Sequence, residues 1–418
     1  MKNLRKTIFV ELGQFSASSL PDTELSWHNH GAGLLVTVCR TKNLPVDFVS
    51  LKDLSGWDEF QKKVKGYGMV AISMMSSDYP QAMKAIEIIK ELNPKTKVIV
   101  GGIHATVAPD ELKENKNIDY ILFGEGEITF PEFLENPSNF KREIKGEPVL
   151  DLDTLPFLDR TIYPHPVEKN VPTWGDSPMA SFLTARGCPF NCSFCQPAER
   201  NHFGVKIRRR SVKNVITEIK EVVEKYHPAF LVFHDDHFMF NKDWLEEFVK
   251  EYADIRLPFW AASRADFICE NQLTIYKLRG VGLEVASIGF ESGSQRILDL
   301  VRKGTTVEQN YRSAEIIGKT GAKIYANIMY GFPGETKEEQ ITTRKMCLHI
   351  ARVAQTMISP AYFTPYPGSD LGNECIKNGL SLIDKNNYNR YGRDKIKGVD
   401  YDFLDKLING EFDSQSNF

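Results

Sequence analysis

Three cysteines, Cys188, Cys192 and Cys195, stand in the run Arg-Gly-Cys-Pro-Phe-Asn-Cys-Ser-Phe-Cys, directly after the apolar segment from Met179 to Thr184. Three soft thiolates at C-x3-C-x2-C spacing suit a metal centre. Iron–sulfur clusters are normally held by four cysteines, so a compact set of three points to a cubane in which one iron keeps an open coordination position. An open iron can bind a substrate. A structural zinc site is the alternative; it needs four ligands, and the nearest extra candidate is His202. A disulfide framework fits less well, because seven cysteines in a 418-residue chain with no secretory signal read as cytosolic. Cys39, Cys269, Cys347 and Cys375 are scattered, and each reads as a small buried apolar residue.

The elements that must position these thiols follow from periodicity. From Met179 to about Thr364 the chain alternates strand and helix patterns, with strands expected at Ala180–Thr184, Phe230–His234, Phe259–Ala262, Val285–Phe290, Lys323–Met329 and Met357–Phe363. Six such units predict a partial βα barrel, TIM-like, in which chemistry sits just past the strand ends. Those positions hold His234-Asp235-Asp236-His237, then Ser263-Arg264, then Glu291-Ser292. Successive side chains of an extended segment point to opposite faces, so the His-Asp-Asp-His run cannot converge on a second metal. Asp235 or Asp236 is instead a hydrogen-bonding group, or a structural one. Arg264 offers a planar fork that matches a carboxylate.

An earlier alternation occupies the first part of the chain. Strands are expected at Thr7–Leu12, Val46–Ser50, Met69–Ser73, Lys97–Val100 and Tyr120–Phe123, with helices at Ala32–Lys42, Trp57–Lys65, Pro80–Leu92 and Ile128–Leu134. This predicts a doubly wound, Rossmann-like parallel sheet whose ligands lie beyond the carboxyl ends of the strands. Ser73, Gly101, Gly102, His104, Gly124, Glu125 and Gly126 stand there, and glycines let a ligand approach the backbone. Residues 136–178, rich in proline and charge, read as a surface connector, and residues beyond about 371 as a polar tail or lid. The expected domains are therefore 1–145, a linker at 146–178, a barrel at 179–370 and a C-terminal extension at 371–418.

Composition bounds the partners. A net charge of −3, from 52 basic and 55 acidic residues, gives no bulk attraction to nucleic acid or anionic membrane. The basic run Lys206-Ile207-Arg208-Arg209-Arg210 lacks interleaved aromatics and reads as a surface segment. No stretch reaches the roughly 18 apolar residues of a membrane span, so the expected setting is cytoplasmic.

The cysteine run resembles the signature of the radical S-adenosylmethionine (SAM) enzymes, including Phe194 before the last cysteine. The segments around Ser73, Asn-Pro-Lys-Thr-Lys-Val-Ile-Val-Gly-Gly-Ile-His-Ala-Thr and Ile-Leu-Phe-Gly-Glu-Gly-Glu-Ile-Thr-Phe resemble the cobalamin-binding domain fused in front of many of those enzymes. Ile-Gly-Phe-Glu-Ser-Gly-Ser, Arg302-Lys303-Gly304-Thr305-Thr306, Tyr330-Gly331-Phe332-Pro333-Gly334-Glu335-Thr336 and Thr364-Pro365-Tyr366-Pro367-Gly368-Ser369 agree with the same subgroup, which includes cobalamin-dependent methyltransferases and the anaerobic Mg-protoporphyrin cyclase.

By this resemblance Cys188, Cys192 and Cys195 ligate a 4Fe–4S cluster whose open iron chelates SAM. Phe194, Asp235, Ser263, Arg264, Glu291 and Ser292 contact SAM. Ser73, Gly101, Gly102, His104, Gly124, Glu125 and Gly126 line cobalamin. The D-x-H-x-x-G motif that supplies an axial histidine in many cobalamin proteins is missing from the N-terminal region, so no ligand from that motif is expected. The implied activity is methylation of an unactivated carbon or phosphinate of a small-molecule or peptide substrate, using methylcobalamin and a 5′-deoxyadenosyl radical, with electrons from an external flavodoxin or ferredoxin. A non-methylating cyclase, oxidase or rearrangement enzyme and a non-catalytic sensor stand as alternatives. A tRNA methylthiotransferase fits poorly, because Cys39 stands alone where that group places three cysteines.

Overall fold

The structure is a computed structural model that describes residues 5–16, 27–168, 177–195, 207–388 and 392–413. It divides into two compact units: Met1–Pro172 with Pro197–Arg208 and Asp384–Asn389, and Thr173–Gln196 with Arg209–Ile383 and Arg390–Phe418.

The first unit is built on a six-stranded parallel sheet of β1 (Thr7–Glu11), β2 (Val46–Ser50), β3 (Met69–Ser73), β4 (Lys97–Gly101), β5 (Tyr120–Phe123) and β6 (Glu143–Lys145), in the order β2-β1-β3-β4-β5-β6. Ile8, Val10, Val70, Ile72, Val98 and Val100 are buried in it, as expected where helices cover both faces of a parallel sheet and strands read as continuous apolar runs. The order reverses between β1 and β3, which makes the crevice beyond their carboxyl ends the ligand position of this architecture.

The sixth strand falls inside the segment expected as a connector. It is only three residues long and buries Ile144 alone, too little to show a period of two. The residues after it do not run over the surface either: Val149, Leu152, Arg160, Tyr163 and Val167 are buried. Gly33, in the helix His30–Thr41, is approached so closely by Tyr163 and Leu158 that a Cβ there would overlap both.

The second unit carries a six-stranded parallel sheet of β7 (Met179–Phe182), β10 (Phe230–Phe233), β11 (Phe259–Ser263), β12 (Leu283–Glu291), β13 (Lys323–Tyr330) and β14 (Thr356–Tyr362), neighbours in that chain order, while two short strands, β8 (Ala185–Arg186) and β9 (Arg208–Arg209), lie outside it. Strictly sequential parallel strands returned by helices form the partial barrel. Capping boxes at Thr306/Gln309 and Thr336/Glu339 start the helices Val307–Thr320 and Lys337–Val353. β13 alternates: Ile324, Ala326, Ile328 and Tyr330 are fully buried, and the Tyr330 hydroxyl lies against Cys347 of the helix Lys337–Val353. Tyr325, Asn327 and Met329 therefore face the other way, into the barrel.

The tail packs onto this unit at the ends of the last two strands. Val399 and Leu404 lie against Gly331, just past β13, and Lys395 donates to Thr364, just past β14, at 2.6 Å. A short piece of the tail belongs to the first unit, where Tyr388 donates to Glu111 at 3.0 Å and Lys385 pairs with Glu114.

Candidate functional site

The cysteine loop leaves β7 and is held at both ends by other strands' loops. At its start, Asp235 Oδ1 accepts the backbone N–H groups of Thr184 (2.6 Å) and Ala185 (3.1 Å), and Oδ2 takes the Thr184 hydroxyl. Near its end, the Ser193 N–H donates to Val301 C=O at 2.9 Å and the Ser193 C=O accepts from Leu371 N–H at 2.8 Å. Within the loop Cys195 N–H donates to Cys192 C=O. Phe194 packs on the apolar cluster of Ile297, Val301, Phe332, Phe363 and Leu371. Phe190 has the Arg264 guanidinium 3.6 Å from the centre of its ring and the His237 imidazole at 5.6 Å.

The three thiols stand within electrostatic reach of one another. Burial pushes the Cys195 thiol up to about 12, and the negative charges of Asp236, Cys192 and Cys188 add to that. Burial also raises Cys188, with Asp236 and Cys192 contributing and the Phe190 backbone N–H opposing. Cys195 and Asp236 are solvent-accessible in the structure. Among the described residues no three His, Cys, Asp or Glu side chains converge on a single ion position. Three accessible thiols flanked by the cations Arg264 and Lys303 fit an iron–sulfur cluster. His202 lies outside the described residues.

Around this loop the strand ends supply a buried charged ring. Arg264, capping β11, is gripped by Asp266 (2.8 Å from Nη2) and donates to Lys303 C=O at 2.7 Å. Ser263 is buried beside it. Glu291 ends β12 at a bulge, where the register with β13 skips Phe290, and its backbone is left-handed at φ 61°. Its carboxylate meets Lys303 Nζ at 2.8 Å. A Cβ on Gly289 would stand 2.5 Å from Glu291 Oε1 and 2.7 Å from Lys303 Nζ, so the ends of both side chains would have to swing aside for any larger residue. Ser292 is fully buried, sharing a hydrogen bond with Thr343 and accepting from Ser294 N–H.

The barrel interior is polar for a layered core, which bulky aliphatic residues normally fill. Asn327 donates to Ser287 at 3.0 Å, Tyr325 donates to Ser359 at 3.0 Å, and half-buried His234, Trp260 and Tyr325 bring their rings within 6.3–6.4 Å of one another in sequence.

In the first unit the expected residues gather beyond β3, β4 and β5. Gly102 has φ 94° and packs directly on Met74 and Ser73, and Met74 N–H donates to Gly101 C=O. Met75 and Ile103 are exposed apolar side chains next to these glycines, a setting that suits the flat face of a corrin. His104 turns inward. Its ring is fully buried, with Nδ1 3.1 Å from Ser76 and Nε2 3.6 Å from Glu111, and burial lowers it to about 4. Gly124 N–H donates to Thr106. Glu125 is taken by both terminal nitrogens of Arg208 and by Val149 N–H, and Gly126 is overlain by Leu35.

Comparison with known proteins agrees with this geometry in both units. Residues 182–347 match the radical SAM superfamily and residues 22–134 the B12 binding domain. An uncharacterised methyltransferase of Pyrococcus horikoshii is 32% identical over 335 residues, covering 75% of this chain and 70% of that protein. The chain belongs to the radical SAM superfamily. The anaerobic magnesium-protoporphyrin IX monomethyl ester cyclase of Rubrivivax gelatinosus is 28% identical over 87% of this chain and 68% of its own. Two solved radical SAM structures share the fold: the methyltransferase TsrM from Kitasatospora setae (TM-score 0.66, 16% identity, 91% of this chain and 79% of that one) and the cobalamin-dependent enzyme OxsB (TM-score 0.71, 14% identity, 100% and 67%). As a radical SAM enzyme with a B12 domain, the chain uses a 4Fe–4S cluster, SAM and cobalamin. No helix among the described residues is long and apolar enough to cross a membrane.

Three residues of the radical SAM site, Phe190, Lys303 and His237, escape a reading of the sequence, and for Asp235 and Asp236, both candidates there, it leaves open which one faces the thiols. Phe190 and Lys303 have no spacing signal and are brought to the thiols by folding. Asp236 rather than Asp235 faces Cys188 and Cys195; the alternation of an extended segment shows that the two point apart but not which one points in. His237 is buried with neither ring nitrogen hydrogen-bonded, and burial lowers it to about 3.

Proposed function

We propose that this protein is a cobalamin-dependent radical SAM methyltransferase, acting on an unactivated carbon or phosphinate of a small-molecule or peptide substrate. The observation that carries the reading is the loop of three cysteines after β7, held by Asp235 at its start and by Ser193 near its end, in a chain that also has a B12 domain. When bound, the cluster supplies the electron that splits SAM and cobalamin carries the methyl group. The protein's own part is positioning and exclusion of water.

In this reading Cys188, Cys192 and Cys195 hold the cluster. Phe194, Ser263, Arg264, Glu291 and Ser292 shape the SAM position, with Asp236 at its rim and Asp235 fixing the loop's entry. Ser73, Gly101, Gly102, Gly124 and Gly126 form the backbone floor beneath cobalamin, and His104 and Glu125 brace it through Ser76 and Arg208. The polar, aromatic-lined barrel interior suits an uncharged substrate group with hydrogen-bonding atoms. A flavodoxin or ferredoxin delivers electrons, and the setting is the cytoplasm.

The test is product analysis of the reduced, cobalamin-loaded protein with SAM. A methyltransferase yields both S-adenosylhomocysteine and 5′-deoxyadenosine. The likeness to the anaerobic cyclase over 87% of this chain favours a second reading, a non-methylating radical enzyme, which would yield 5′-deoxyadenosine alone.

A further inference from the structure

Lys303 is a buried ammonium, 7% exposed, on the turn that follows the helix Gln295–Leu300. The same turn supplies Val301 C=O to Ser193 of the cysteine loop and Lys303 C=O to Arg264, so its backbone is tied to both the loop and β11. Its side chain meets Glu291 at 2.8 Å directly beneath Gly289. Burial alone would push the ammonium down, but Glu291 and the nearby Cys192 outweigh it and hold the group above its usual range.

A buried ion pair is costly to desolvate, and an apolar pair of the same volume is often as stable or more so. A bulge and a left-handed Glu291 nonetheless hold this pair next to the turn that carries the cysteine loop. Iron–sulfur potentials respond to net local charge and to hydrogen bonding at the sulfurs.

Building on the function proposed above, we infer that Lys303 is a positioning residue that sets the reduction potential of the cluster. It places one positive charge beside Cys192 and Cys195 and fixes Glu291 as the compensating negative charge. Reduction adds an electron to the centre, so a nearby cation favours the reduced state and a nearby anion opposes it.

The experiment is an anaerobic redox titration, followed by electron paramagnetic resonance, of the reconstituted full chain without SAM. Lys303→Gln should lower the midpoint potential, Glu291→Gln should raise it, and Lys303→Arg should leave it at the wild-type value. If Lys303→Gln folds by circular dichroism but cannot be loaded while Lys303→Arg can, the ammonium serves cluster assembly rather than its potential, and the inference fails. A Lys303→Gln protein with four irons and an unchanged potential overturns the inference, as does equal failure of both variants to load, which would make Lys303 a packing residue. Wild-type protein with no 4Fe–4S signal would instead refute the enzyme reading itself.

Discussion

Asp235 and Thr184 form a closed contact at the entry to the cysteine loop: one carboxylate takes both the backbone N–H and the hydroxyl of the same threonine. Asp235 is buried, and Arg209 stands 3.9 Å away as its nearest cation. Removing the carboxylate leaves two buried N–H groups without an acceptor and a cation without its anion. Asp235→Ala should therefore cost on the order of 3–5 kcal/mol in denaturant unfolding and reduce iron bound per chain. Asp235→Asn, which keeps one acceptor, should lose less of both.

A side chain at Gly289 is predicted to act by displacing the ends of Glu291 and Lys303. The added methyl of Gly289→Ala would press on the ends of Glu291 and Lys303, at about 1 kcal/mol, the low end for an overpacked site because those ends can swing aside. Because Glu291 must shift, SAM binding measured by calorimetry should weaken more than global stability does. Equal losses in both would argue that Glu291 has no part in holding SAM.

His104 predicts a specific acid lability of the first unit. Burial holds its pKa at about 4, below the ordinary 6.5, so the folded unit keeps it neutral while the unfolded chain binds a proton. Its stabilising contribution is complete above pH 6.5 and is lost as pH falls from 6.5 to about 4, a total of ~3 kcal/mol. Melting curves across that window should flatten in His104→Gln. A slope identical to wild type would remove His104 as the source.

Glu125 is engaged by Arg208 and Val149 rather than left open to a ligand. Glu125→Gln should thus lower unfolding stability by ~2–4 kcal/mol, as expected when one partner of a buried pair is lost. The corrin absorbance of the folded fraction should stay at one equivalent. Loss of cobalamin without loss of stability would mark Glu125 as a direct contact.

Much of this was legible in the sequence because the signals are local. Strands β2, β3 and β5 span the residues expected for them, and the three cysteines declare themselves by spacing. What escaped depends on the fold. β6 buries one side chain and has no period to detect. The stretch after it looks like a proline-rich connector, yet Arg160 and Tyr163 are buried through contacts that no periodicity encodes. Lys303 acquires its meaning only from Glu291 on a neighbouring strand end. Asp235 and Asp236 are equivalent on paper until a face is assigned to each.

The central claim is that Cys188, Cys192 and Cys195 hold a cluster that opens SAM. Its most direct measurement is 5′-deoxyadenosine released by reduced, reconstituted protein, compared with each single cysteine-to-alanine variant at matched folded concentration. The account predicts one nucleoside per SAM cleaved in the wild type and none above background in all three variants. Undiminished release from any one of them would contradict it.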